Sequence, residues 1–258
     1  NAELHLALAS AHRQLGQRTA ALGVLEAARK RWPEKPGVIN DLALIYLTEK
    51  TKQKGVRLLL DGVAKHPGHI QLARNAAQHL SETGRHKEAQ KVMRRALVLR
   101  PNYGVLRTAF GDVLWAAGLP DKADRSYRDA GRCATPDQRA LSRRGDLARR
   151  QRKLGKAIDL YRQAIEADAT LVEAYNGMAM SHHGLEQFER AVATYRKGLA
   201  VDRNDPVLNN NLGSTLYLQG KFRAALTVFQ RAATVDPKEG RYWRNQIMVL
   251  KQMGRLEA

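Results

Sequence analysis

The sequence predicts an all-α fold, an α-solenoid of stacked helix pairs, and three observations predict it. Small residues recur every 34 positions at Ala21, Gly55, Ala89, Ala123, Ala157, Ala191 and Ala225. The same spacing holds twelve positions earlier, at Ala9, Ala43, Ala77, Gly111, Gly145, Ala179 and Gly213, and seven positions later, at Ala28, Gly62, Ala96, Ala130, Ala164, Gly198 and Ala232. A small side chain at a fixed phase lets two helix backbones approach closely, so each unit reads as two antiparallel helices packed at those points. Four residues after the first of these slots, Tyr161, Tyr195 and Phe229 add an aromatic. No stretch alternates apolar and polar residues with period two, as a half-buried strand would.

The units are predicted at about 2–35, 36–69, 70–103, 104–137, 138–171, 172–205 and 206–239, with a partial eighth at 240–258, all in a single array. In the first, Leu4, Leu8 and Ala9 are expected to face inward and Pro33 to close the pair. The second is more degenerate. Lys50 stands where other units have a glycine between the helices, and Gly55 and Gly62 each cost a helix about 0.5–1 kcal/mol relative to alanine. The third turns at Thr83-Gly84-Arg85. Pro33, Pro67, Pro101 and Pro237 share one phase, where proline stops one helix before the next begins. In the fourth, Gly118 makes the turn and Pro120 suits the first turn of the following helix.

Cys133 falls in the slot of Leu99, Val201 and Val235 and is expected to be a small core residue. The fifth unit is the electrostatic outlier. Nine cations (Arg139, Arg143, Arg144, Arg149, Arg150, Arg152, Lys153, Lys156, Arg162) face four anions (Asp146, Asp159, Glu166, Asp168), nine minus four giving +5. The eighth supplies a first helix that covers the seventh through Trp243 and Leu250. Because the chain opens inside a helical pattern and stops midway through a unit, a segment of a longer protein is expected.

With 44 Lys and Arg against 25 Asp and Glu, the 258 residues carry +19 and a pI near 10.4, which favours an anionic partner. One cysteine excludes an intrachain disulfide. No run of eighteen apolar residues exists, so no membrane span is expected, and the compartment, cytoplasmic or periplasmic, stays open. His182-His183 and His66-x-x-His69 lack the spacing of the helical zinc-protease motif, and no phosphate loop, dinucleotide fingerprint or nucleophile elbow occurs. The expectation is therefore no catalytic residue, no metal and no cofactor.

From Asn209 the seventh unit reads Asn209-x-x-Leu212-Gly213-x-x-Leu216, then Gly220, Ala225-x-x-x-Phe229, Ala232 and Pro237. These residues resemble the tetratricopeptide repeat. A 35-residue repeat such as the pentatricopeptide would have slipped six positions over six steps, and none slips. On each first helix, positions four, seven, eight and eleven share about a third of the circumference and carry the small and apolar residues. The resemblance implies a right-handed superhelix whose concave groove is lined by the opposite set, positions two, five, six, nine, twelve and thirteen.

The candidate ligand-binding residues in that set are Asn40, Arg74, Asn75, Gln78, Asp112, Trp115, Arg139, Arg143, Arg149 and Arg150, followed by Asn176, Met180, His183, Asn210, Asn211, Ser214, Tyr217, Arg244 and Asn245. Asparagine both donates and accepts on one short side chain, so it suits the paired N–H and C=O of an extended peptide. The pattern is similar to the asparagine ladder of O-linked N-acetylglucosamine transferases, with Asn75, Asn211 and Asn245 at position six and Asp41, Ala109, Arg143 and Gly177 interrupting it. Arg139 and Arg143, with Arg74 two units earlier, resemble part of the carboxylate clamp of chaperone-tail-binding repeats, although Gln78 and Ala109 stand where the clamp has asparagines. Arg139, Arg143, Arg149 and Arg150 would repel one another with only Asp146 between them, a conflict that a carboxylate, sulfate or phosphate would relieve. Trp115 and Tyr217 offer stacking surface.

The leading expectation is a non-catalytic scaffold that binds a protein partner, an extended or acidic segment, in this groove. Two others stand beside it. One is a basic solenoid that captures an anionic polymer, a polysaccharide in export or nucleic acid, through residues such as Arg94, Arg95, Arg125, Arg128 and Arg132. The other is a recruiting module of a larger enzyme. Self-association through the ends of the array is left open.

Overall fold

A computed structural model describes residues 1–48 and 51–254. The described residues form fifteen α-helices, which are α1 (Ala2–Gln14), α2 (Arg18–Arg31), α3 (Pro36–Leu47), α4 (Lys52–Lys65), α5 (Ile70–Glu82), α6 (His86–Leu99), α7 (Gly104–Ala116), α8 (Pro120–Ala130), α9 (Arg139–Arg150), α10 (Leu154–Ala167), α11 (Val172–Gly184), α12 (Phe188–Val201), α13 (Pro206–Leu218), α14 (Phe222–Val235) and α15 (Gly240–Gln252). They divide into two compact units, Asn1–Asp137 and Gln138–Ala258. Each unit is a stack of helix pairs in which the odd-numbered helix comes first. Lys50, the substitute for a turn glycine, lies outside the described residues.

The three small slots are buried in all seven repeats, as the 34-residue spacing requires. Position 24 of each repeat, held by Leu25, Leu59, Met93, Tyr127, Tyr161, Tyr195 and Phe229, is also fully buried. It packs onto the small residue at position eight of the first helix. A Cβ at Gly145 would stand 2.7 Å from the Tyr161 ring, one at Gly213 the same distance from Phe229, and one at Gly111 would run into Tyr127. Repeats with Leu or Met at position 24 carry Ala9, Ala43 and Ala77 instead, and only Ala179 sits against a tyrosine. In the second repeat Gly55 answers to backbone contact and Gly62 to side-chain contact. A Cβ at Gly55 would stand 2.8 Å from the Ala43 carbonyl oxygen, and one at Gly62 would stand 2.7 Å from Ile39.

Between the two helices of each pair, position 15 takes the left-handed conformation. Gly16, Gly84, Gly118 and Gly220 have φ of 72°, 75°, 73° and 72° there. The next amide closes the turn on the carbonyl five residues back, as in Gln17 to His12 (2.8 Å) and Lys221 to Leu216 (2.9 Å). Arg152 (φ 60°) and Glu186 (φ 58°) adopt the same conformation without glycine's freedom. Pro36, Pro120 and Pro206 begin helices, and Asp205 caps α13 by accepting from the Leu208 amide at 2.6 Å.

Three expectations change. Leu4 and Leu8 are 67% and 49% exposed, not inward, whereas Ala9 is buried. Positions three and seven face the preceding repeat, as Leu42 does in the cluster with Ala21 and Leu25, and α1 has no such neighbour among the described residues. Trp243 is likewise 47% exposed, because positions four and eight face a repeat's own second helix. α15 covers the seventh repeat through Tyr242, which packs on Ala232 and Ala233, and through Val249. Finally, α8 stops at Ala130, so Cys133 lies beyond the helix, partly exposed, with its thiol on the Asp129 carbonyl (3.3 Å). The chain there pairs with the start of α7, Gly104 N–H donating to Thr135 O at 2.9 Å, which leaves no room for another helical turn.

Glu186→Gly should relieve the left-handed strain at an exposed turn, and part of that gain is offset by glycine's freedom in the unfolded chain. A net stabilisation of about 0.5–1 kcal/mol is expected, read as a higher urea midpoint at unchanged slope.

Candidate functional site

The first helices present a narrower open face than their sequence pattern suggests. Position ten (Ile45, His79, Val113, Leu147, Ser181, Thr215, Val249) is buried in every repeat from the second onward. Position five, assigned to the groove, is buried as well at Asn40 (6% exposed) and Asn210 (5%), and at Thr108 and Ser142. The reason is the stacking of successive first helices, which closes over position five from one side. Positions six, nine, twelve and thirteen carry most of the accessible surface, apart from the buried Gly177.

At that closure the asparagines meet. In Gln138–Ala258, Asn211 Nδ2 donates to Asn176 Oδ1 at 2.9 Å and Asn245 Nδ2 donates to Asn210 Oδ1 at 2.7 Å. Within Asn1–Asp137, Asn75 Nδ2 donates to Asn40 Oδ1 at 2.7 Å, and Asn40 Nδ2 in turn donates to Asp41 at 2.9 Å. Each step joins position five of one repeat to position six of the next. The amides are therefore oriented by one another, while Asn211 and Asn245 each keep a second N–H.

On α9 the centre is Asp146. Its Oδ1 accepts from the Tyr161 hydroxyl at 2.7 Å, and Arg143 and Arg149 approach it at 3.6 and 3.8 Å. The arginines that the sequence reading set against one another are thus drawn together on one carboxylate. Arg149 keeps its Nε buried without a hydrogen-bond partner. Burial pushes the Tyr161 hydroxyl well above its ordinary range, the Asp146 charge adds to the shift, and Arg149 opposes it. Tyr195, also fully buried, is raised by burial, with Arg149 again opposing.

Tyr161 also explains why the ladder stops at Gly177. A Cβ there would collide with the ring and stand 2.6 Å from the hydroxyl, so no asparagine fits while Tyr161 reaches Asp146. Sequence reasoning missed this tyrosine as part of the site. The available signal was the fifteen-residue pairing of Asp146 with Tyr161, repeated by Asp112 and Tyr127, whose hydroxyl donates to Asp112 at 2.8 Å.

The remaining candidates are local. In Asn1–Asp137, Arg74 reaches Gln71 (3.4 Å), Gln78 donates to Glu82 (2.9 Å) and Trp115 is half-buried. In Gln138–Ala258, His183 pairs with Thr215 (2.9 Å) and stands edge-on to Phe188, while Tyr217 leans on Phe222 with ring centroids 5.4 Å apart. Ser214 donates to the Asn210 carbonyl (3.1 Å), Met180 packs on the core, and Arg139 is half-buried. Arg150 and Arg244 are exposed. Arg74 belongs to one unit and Arg139 and Arg143 to the other, so the clamp-like set is not assembled within either. Among the described residues no three His, Cys, Asp or Glu side chains gather as a metal site, and no helix is long and apolar enough to cross a membrane.

A tetratricopeptide repeat family model matches residues 6–70, 108–171, 176–239 and 210–258. A search of the sequence against curated proteins finds no match. Among solved structures, a tetratricopeptide repeat protein from Parabacteroides merdae superposes with a TM-score of 0.68 at 15% identity, over 96% of this chain and 98% of that one. A chain of the APC/C hetero-tetramer Cut9-Hcn1 gives 0.63 at 14% identity, over 97% of this chain and 49% of that one. Pseudomonas aeruginosa PilF gives 0.59 at 20% identity, over 71% and 85%. At these identities the likeness is one of fold.

Gly177→Asn, which would complete the ladder in sequence, should instead destabilise the chain by about 1–3 kcal/mol by forcing Tyr161 aside. Thermal melts of G177N, Y161L and the double variant would show less than additive loss if that collision is the cause. Since the Tyr161 and Tyr195 hydroxyls hold their protons more tightly when folded, their contribution is complete below the ordinary value of 10.0 and is lost as pH rises through the folded values. Melting temperature should fall above pH 10, and Tyr195→Phe should flatten that fall.

Proposed function

The chain belongs to the tetratricopeptide repeat family, a fold of protein-interaction scaffolds, and from that premise we propose that its first-helix face binds an extended, acidic peptide segment. The reading takes the repeats as one non-catalytic array and puts the principal contact on Gln138–Ala258. It rests on one observation above the rest. Asn176, Asn211, Asn210 and Asn245 are held by one another in repeating register, so their amides are already ordered before a peptide main chain arrives. On α9, Arg143 and Arg149 are gathered on one carboxylate, Asp146, and their planar guanidinium groups suit an acidic side chain. Met180 on α11 and Tyr217 on α13, both partly exposed, add apolar surface.

A second reading draws on different residues. Arg94, Arg95, Arg125, Arg128 and Arg132 are all exposed on or just after the second helices α6 and α8, a distribution suited to a polyanion.

Fluorescence anisotropy with a short peptide of alternating Asp and Thr, against its Asn and Thr counterpart, tests the first reading. Arg143→Glu with Arg149→Glu should weaken the acidic peptide about tenfold or more, and Asn211→Ala with Asn245→Ala should weaken both peptides. Arg143→Glu alone, at an exposed position, repeats the test should the double variant unfold. Unchanged affinity in folded variants defeats the proposal. Heparin or poly(U) binding that falls steeply between about 50 and 200 mM salt, with no peptide binding, would favour the polyanion instead.

A further inference from the structure

Outside the first-helix face, Asn1–Asp137 contains a cavity of about 410 Å³ walled by α2, α3 and α4. That volume falls within the range of about 300–1,000 Å³ typical of small-molecule sites. Leu42 and Leu58 supply apolar wall, and Tyr46 closes one side. The Tyr46 hydroxyl donates to Glu26 Oε1 at 2.6 Å and accepts from Lys54 Nζ at 2.7 Å, and the ammonium stands 4.1 Å from the ring centroid. The Glu26 carboxylate is thereby engaged within the wall.

Arg29 is placed differently. Its Nη1 is shielded from solvent and has no hydrogen-bond partner among the described residues. Glu34, whose carboxylate lies near enough to feel the Arg29 charge, is bonded to Lys65 at 2.9 Å. A shielded guanidinium N–H calls for an acceptor. The lining as a whole holds four cations, Arg29, Lys30, Lys54 and Arg57, against the carboxylates of Glu26 and Asp61.

We propose that this cavity binds a small organic anion, an apolar body bearing one carboxylate or phosphate, with the Arg29 guanidinium donating to the anion and Leu42, Leu58 and Tyr46 holding the body. Arg57, exposed on α4, flanks the charged end. Each half of the site is selective. A neutral molecule of the same shape leaves the excess of cations in the lining without a counter-charge, and an inorganic anion leaves the apolar wall in water.

Isothermal titration of the whole chain with 1-naphthoate, 1-naphthyl phosphate and the neutral 1-naphthalenemethanol tests the site. Saturable one-to-one binding of at least one anion is expected, with the alcohol about tenfold weaker. Arg29→Gln should weaken the anion by a similar factor while circular dichroism stays helical. Arg57→Gln, at an exposed position, should weaken it in the same direction and serves if the first variant does not fold. The proposal fails if neither anion saturates below about 1 mM, if the alcohol binds as tightly, or if folded variants bind like the parent. The Arg143→Glu/Arg149→Glu chain should bind naphthoate normally, so this result is independent of the peptide reading.

Discussion

Everything else in each unit depends on the close approach of the two helices in every pair, made where a small residue on one helix receives the position-24 side chain of the other. At Gly145 and Tyr161, or Gly213 and Phe229, one added methyl group would already overlap the ring. Each fully buried side chain at that position contributes about 1.5–3 kcal/mol through burial, but only if its partner position stays small. The contact therefore sets both the stability of a repeat and the rotation of its first helix. That rotation decides which residues remain open to a ligand.

The open face shows how core and surface constraints compete for the same space. Where position 24 is a tyrosine with an aspartate at position nine, the hydroxyl rises through the pair to meet the carboxylate, as Tyr161 meets Asp146. The carboxylate gathers Arg143 and Arg149, and the ring excludes any side chain at Gly177. In the sixth repeat position 24 is again a tyrosine, Tyr195, but position nine is Met180, and the step from Asn176 to Asn211 forms; the step from Asn210 to Asn245 follows Phe229. At Gly177, then, one buried side chain decides that the position carries no amide.

Much of the architecture was legible because it is periodic. The small residues keep their phase through seven repeats, the turn glycine and the closing proline return at theirs in four each, and chance does not keep a 34-residue beat. The misreadings fall where periodicity carries no information. Leu4, Leu8 and Trp243 obey the repeat pattern, yet sit in helices that lack one neighbour among the described residues. Cys133 fell in a helical slot, but α8 yields three residues earlier to the pairing of Thr135 with Gly104.

By itself, the sequence determined the all-α class, the 34-residue period and the sign of the charge, since each depends on residue type and spacing along one chain. Only the tertiary structure decided that Asn40 and Asn210 are covered, that Asn211 and Asn245 reach back to the preceding repeat, that Asp146 unites Arg143 and Arg149, and that Arg29 lines a cavity while one of its N–H groups is shielded from solvent. Those outcomes depend on distances of a few ångströms between helices remote in sequence, and a linear pattern sets such distances only through the packing of the residues between them.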